Sequence, residues 1–164
     1  MNIFYTDHDP DTAAQSLPDK HIVKMPVEAV QMLVSACLRH GIQPNVTTSK
    51  GTVHKGGYHN HPSTVWAGDT RENWFWTLSW GIGLCQEYTR RYGKEHFAEG
   101  QLCQLIRCLK SIPDGPLTPP AQAMPDEFKH ADPVLAYRAC IRGKVASKPD
   151  SFVWRKGTPA PSWL

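Results

Sequence analysis

Three groups near the amino terminus are equipped for chemistry: the imidazole of His21, the ammonium of Lys24 and the carboxylate of Glu28. His21, Lys24 and Glu28 recur at spacings of three and four, which sets them about one helical turn apart on one face. Gln31 and Ser35 extend the same polar stripe. A carboxylate beside an amine can move a proton or stabilise a developing positive charge, and an amine that has lost its proton attacks an aldehyde or a sugar carbon. The same residues also read as a Lys24/Glu28 ion pair on a wet helix face.

A second cluster, His59, His61, Ser63, Thr64, Arg71 and Asn73, follows the glycine-rich stretch that holds Lys50, His54 and Lys55. It enters a helix whose first amides suit a phosphate, with ordinary capping by Asp69 and Thr70 as the competing reading. A third group, Glu87, Arg90, Arg91, Tyr92, Lys94 and His96, reads either as a backbone-contacting surface or as a solvated helix end. No metal site is expected. His54, His59 and His61 lack a paired cysteine knuckle, and Cys103 and Cys108 are separated by four intervening residues on a helix. Phosphate-loop, dinucleotide and nucleophile-elbow motifs are absent, which disfavours nucleotide-dependent and hydrolase-type folds. No cofactor is called for.

These residues must be held by helices. Asn2 to Thr6 is a short strand or extended lead-in, and Asp9 or Asp11 caps a short helix through Leu17. Pro18 begins a helix that runs to about His40 and stops at Gly41. Ile22, Val23, Val27, Val30, Leu33, Val34 and Cys37 make it apolar around most of its circumference, so it is expected to be buried, with a kink at Pro26. Residues 41–68 read as a long surface loop, and Asp69 or Thr70 caps an aromatic helix that Gly93 closes after Tyr92. A further helix is predicted over 97–110, a proline-rich irregular belt over 111–127, and a last helix from Asp132-Pro133 to about Arg142. Trp154 and Trp163 are expected to dock back on the body. The fold class is therefore mainly α, a single compact helical domain spanning 1–164, with about four to five helices and long irregular loops.

The chain has 164 residues, 40% of them hydrophobic and 20% charged, values that suit a globular core. The net charge of +3 does not by itself name a nucleic-acid partner, but the loop around Lys50 and Lys55 and the helix end at Arg90 and Arg91 give two basic surfaces. The five cysteines read as reduced core thiols. No run approaches the roughly 18 apolar residues of a membrane span, and the first residues lack a signal peptide's basic start and apolar core, so a cytoplasmic protein is expected, in the host cytoplasm if it is phage-encoded.

The string Leu17-Pro-Asp-Lys-His-Ile, with Glu28 following, has the form L-x-D-x-H, six residues, then E. It resembles the phage-type pyrimidine dimer DNA glycosylases of the endonuclease V kind. The chain is also similar to small phage proteins that share its D-K-H-x-x-K-M, H-P-S-T-x-W and E-Y-T-x-R-Y-G-K strings. The first resemblance implies a small helical enzyme that removes a damaged pyrimidine base and cuts the abasic strand through an imine. It implies Glu28 as the catalytic carboxylate and His21 as the histidine that helps shape the site. The nucleophile in that family is a terminal α-amine, and here either Met1 or Lys24 would supply the amine; Val27 stands where the family has an arginine. It also implies a distorted duplex, held by loop 50–61 and Arg71, with Trp66 or Tyr58 available to stack on an exposed base.

The expected function is thus a DNA base-processing glycosylase or lyase, with DNA as partner. Three other readings stay open: a phage enzyme that modifies thymine in DNA, a non-enzymatic binder of nucleic acid or a host factor, and a nucleotide-binding protein that uses His59, His61 and Arg71. The oligomeric state is not specified by the sequence.

Overall fold

The computed structural model describes all 164 residues. Six α-helices carry it, with no strand: α1 Pro10–Gln15, α2 Asp19–Arg39, α3 Pro62–Asp69, α4 Arg71–Tyr92, α5 Ala98–Leu105 and α6 Pro133–Ser147. Two 3₁₀ turns, Ile106–Ser111 and Asp126–Phe128, interrupt the segments between α5 and α6. The mainly helical class read from the sequence is the observed one. The count rises to six because α3 forms within the stretch expected to be loop, where His61 accepts from Ser63 N and Pro62 supplies a helical φ in the first turn.

Local chemistry sets the boundaries. Asp9 accepts from Thr12 N at the start of α1, Thr70 from Asn73 N at the start of α4, and Asp132 from Val134 N at the start of α6. Gly93 ends α4 in the left-handed conformation at φ 68°. Residues 2–6 form no strand. They lie buried against the helices, with Phe4 itself left-handed at φ 42°.

Helices α2 and α4 form the centre. Leu33, Met32, Val34, Trp74, Trp80 and Leu84 are sealed from solvent, each worth a few kcal/mol of apolar burial. Two glycines let neighbours approach α4 closely. A Cβ on Gly81 would lie 3.0 Å from both Ala29 and Leu102, and one on Gly83 would lie 2.7 Å from Asp11 Oδ1. Helix α2 passes a length-and-composition test for a membrane span, but 72% of that window is buried inside the fold, as a core helix requires.

The carboxyl-terminal segment wraps back over these helices. Trp154 donates from Nε1 to Ser16 O at 3.1 Å, and the Arg138 guanidinium lies 5.4 Å from the Trp163 ring. Asp19 fastens the segment to the start of α2: its amide donates to Val153 O and its carboxylate accepts from Arg155 N.

Candidate active site

Because α2 is buried on most sides, its polar stripe opens on one narrow face. Glu28 is 6% exposed, and its two carboxylate oxygens face two different amines. Lys24 Nζ is 2.8 Å from Oε1, and the Met1 amine is 3.5 Å from Oε2. A cleft of about 320 Å³ surrounds them, lined by Met1, Asn2, Phe4, Lys20, His21, Lys24, Met25, Glu28, Ala123, Lys144 and Phe152.

The amino terminus is held in place by several independent contacts. The Met1 side chain is buried, and its sulfur accepts the Thr64 hydroxyl at 3.3 Å. Asn2 donates to Ala123 O at 3.0 Å, while its Oδ1 accepts from Ile3 N and lies 2.9 Å from the Tyr137 hydroxyl. The left-handed backbone at Phe4, a conformation that costs of order 1–3 kcal/mol in a non-glycine residue, turns the chain so that this ring stacks on His21 at 4.3 Å.

His21 is buried between Phe4 and Phe152, and its Nδ1 has no hydrogen-bond partner. Burial, reinforced by the nearby charges of Lys144, Lys24 and Lys20, pushes its pKa down to about 3, so the ring is neutral at physiological pH. Lys24 shifts the other way: the hydrogen bond and charge of Glu28 hold its ammonium protonated above the usual lysine range. Lys20 and Lys144 have no carboxylate partner. Lys20 Nζ stands 5.2 Å from the Phe152 ring, and Lys144 Nζ stands 5.9 Å from Phe152 and 6.0 Å from Phe4. One carboxylate thus faces four amines, an excess of positive charge suited to a phosphodiester.

The structure joins the first sequence cluster to part of the second. Thr64 reaches Met1, and His61 lies near enough to the Met1 amine and to Glu28 to feel both. Burial first, then that amine, lower the His61 pKa, while Glu28 opposes them. Gln31 lies one turn beyond Glu28, beside a separate groove that includes Lys55. His59 is exposed in the turn before α3, and Ser63 is buried at its start.

The remaining predicted residues do not line the cleft. Arg71 pairs with Asp114 at 2.8 Å, and Asn73 is buried, donating to Trp66 O and Thr118 Oγ1 and accepting from Thr118 N. Arg91 is buried between Glu87 and Asp19 and also donates to Gln15 O, so its guanidinium is spent inside the fold. Arg90 bridges Glu87 and Thr158, and Lys94 is exposed past the end of α4. Trp66 is 4% exposed and donates to Thr118 O, which leaves Tyr58, at 64%, as the open aromatic of the two considered for stacking.

Lys20, Lys144, Phe4 and Phe152 were missed by sequence reasoning. Lys20 adjoins His21 in the motif and was within reach, but nothing in the local sequence connects Lys144 or Phe152 to residues more than a hundred positions earlier.

The pyrimidine dimer DNA glycosylase family model matches residues 1–99. No curated protein and no solved structure matches the chain. The matched stretch contains α1 to α4 and therefore Met1, His21, Lys24 and Glu28, whereas Ala123, Lys144 and Phe152 come from outside it.

Proposed function

The chain belongs to the pyrimidine dimer DNA glycosylase family, and on that premise we propose that it removes a damaged base from DNA and cuts the resulting abasic strand through an imine. The observation that carries this reading is the carboxylate of Glu28 set between two amines, Met1 and Lys24, at the wall of a positively charged cleft.

A neutral amine attacks the C1′ carbon of the damaged nucleotide, the C1′–N bond to the base breaks, and the base leaves with that electron pair. The departing base takes a proton from water, while Glu28 faces the positive charge that develops on the sugar and takes the proton that the attached amine loses. The C1′–O4′ bond then breaks, O4′ recovers that proton from Glu28, and the ring-opened sugar is a protonated imine of the enzyme's amine. Loss of a C2′ proton expels the 3′ phosphate, and water releases the enzyme. One comparison favours Met1 as the nucleophile: Lys24 is hydrogen-bonded to Glu28 at 2.8 Å and held protonated by it, while the Met1 amine stands farther from that carboxylate, at 3.5 Å. Lys20 and Lys144 supply positive charge for the flanking phosphates. His21, kept neutral, packs between Phe4 and Phe152 and holds them at the cleft wall.

Borohydride trapping on DNA that carries an abasic site or a pyrimidine dimer tests this. The expected result is a covalent adduct that maps to Met1, survives Lys24→Gln and disappears when residues are appended ahead of Met1. Glu28→Gln should lose turnover and keep DNA binding. An adduct mapping to Lys24 would reassign the nucleophile, and absence of any adduct from folded, DNA-bound protein would remove the imine mechanism.

A further inference from the structure

Beyond the cleft, the stripe on α2 continues through Gln31 and Ser35 into a region of unusual charge. Residues 29–68 contain no Asp or Glu, yet include Arg39, Lys50, Lys55 and four histidines. A polar groove of about 510 Å³ lies here, lined by Gln31, Thr48, Thr52, Val53, His54, Lys55 and Gly56, and neither Lys50 nor Lys55 has an acidic partner.

The loop that forms this groove is stapled to the helix. Ser35 Oγ accepts from Gly57 N at 2.8 Å and donates to Gly57 O at 3.0 Å. Gly56, at φ 70°, packs so closely that a Cβ there would collide with Ser35 Oγ. On the far side, Tyr58 O accepts from His61 N, which ties the loop to the start of α3. Between these two anchors Tyr58 is left-handed at φ 55° with its ring 64% exposed. An aromatic side chain held in a strained backbone without being buried gains no packing for the cost. Tyr58 also sits near the cleft: the preceding Gly57 packs on Gln31, one turn along α2 from Glu28, so that a Cβ there would lie 3.3 Å from the Gln31 side chain.

We propose that Tyr58 is a stacking platform for a base next to the reacting nucleotide, and that the Gln31–Lys55 groove carries the phosphodiester backbone of that same strand away from the cleft. This rests on the DNA-processing reading and adds to it a defined path for one strand. Stacking on a ring tolerates any base, while an acid-free groove with the unpaired Lys55 on its wall suits the backbone, so the surface takes an unpaired strand segment irrespective of its sequence.

The test is binding of a short single-stranded oligonucleotide with an abasic site and 2-aminopurine beside it, measured by fluorescence and by affinity. Wild-type protein should quench the 2-aminopurine. Tyr58→Ala should bind roughly tenfold more weakly without quenching, while keeping its melting temperature, and Tyr58→Phe should behave as wild type. Lys55→Ala should lose affinity and leave the quenching at saturation unchanged. Equal affinity and quenching in Tyr58→Ala would overturn the proposal and leave the family chemistry intact. Quenching that depends on Tyr58, in a protein that yields no borohydride adduct, would keep this strand path and remove the imine mechanism instead.

Discussion

At the scale of single residues, the site is an argument about which amine is free to react and which imidazole is kept neutral. His21 pairs an ordinary chemical type with an extraordinary setting, a ring held between two phenyl groups and facing lysines. Its folded pKa lies at about 3 against an unreacted value of 6.5, so below pH 6.5 the unfolded chain binds a proton that the folded one refuses. Stability is therefore fully present above pH 6.5 and is lost as pH falls toward 3, at up to about 1.4 kcal/mol per pH unit for this residue. Urea denaturation at pH 7 and at pH 4.5 should show a larger loss for wild type than for His21→Phe, which keeps a ring in the stack and cannot protonate. His54, His61 and His96, whose pKa values are also lowered chiefly by burial, should leave the variant with a smaller residual loss in the same direction.

At the scale of elements, the cleft depends on how α2, α4 and the carboxyl-terminal segment are fastened together. Arg91 on α4 donates to Glu87 in its own helix and to Asp19 at the start of α2, and Asp19 in turn holds the segment that carries Phe152. Burial alone would raise the Glu87 pKa, but hydrogen bonds from Arg90, Thr158 and Arg91 outweigh it and keep the carboxylate ionised. Removing Arg91 leaves two acids without their shared cation. Arg91→Ala should cost about 3–5 kcal/mol in chemical denaturation. Arg90→Ala, which removes a half-exposed partner of the same carboxylate, should cost about 1 kcal/mol or less. Similar losses for the two variants would show that the buried pair does not couple the elements. The sequence placed both arginines at one helix end, and their opposite environments come from α2 crossing α4 beside Arg91 while Arg90 faces the tail.

At the scale of the whole molecule, a net charge of +3 says little, and its distribution says more. Amines gather around the cleft and along the acid-free stretch 29–68, while most acids lie in α1, in α4 or after residue 94. DNA affinity should fall as salt rises, and Lys55→Ala and Lys144→Ala should each reduce the slope of log K against log salt by about one. Arg142→Ala, at an exposed residue bonded to Trp163 O and outside the cleft, should leave that slope unchanged. A slope unaltered in all three variants would place the DNA elsewhere on the surface.

What the sequence determined by itself was local. The spacing of His21, Lys24 and Glu28 needs only 3.6 residues per turn to become a stripe, and Thr70, Gly93, Asp132 and Pro133 mark helix ends through their own hydrogen bonds and φ preferences. The motif around Leu17-Pro-Asp-Lys-His-Ile likewise lay within one element and its entry. The tertiary structure decided everything that joins distant segments. Thr64 reaches Met1 across 63 positions, and Lys144 and Phe152 close the cleft from a part of the chain with no periodicity in common with α2. It also decided which of two adjacent arginines is buried, and that Trp66 is spent on packing while Tyr58 is left open. Such outcomes depend on which surfaces meet when helices pack, a property of the folded chain that neither residue type nor spacing encodes locally.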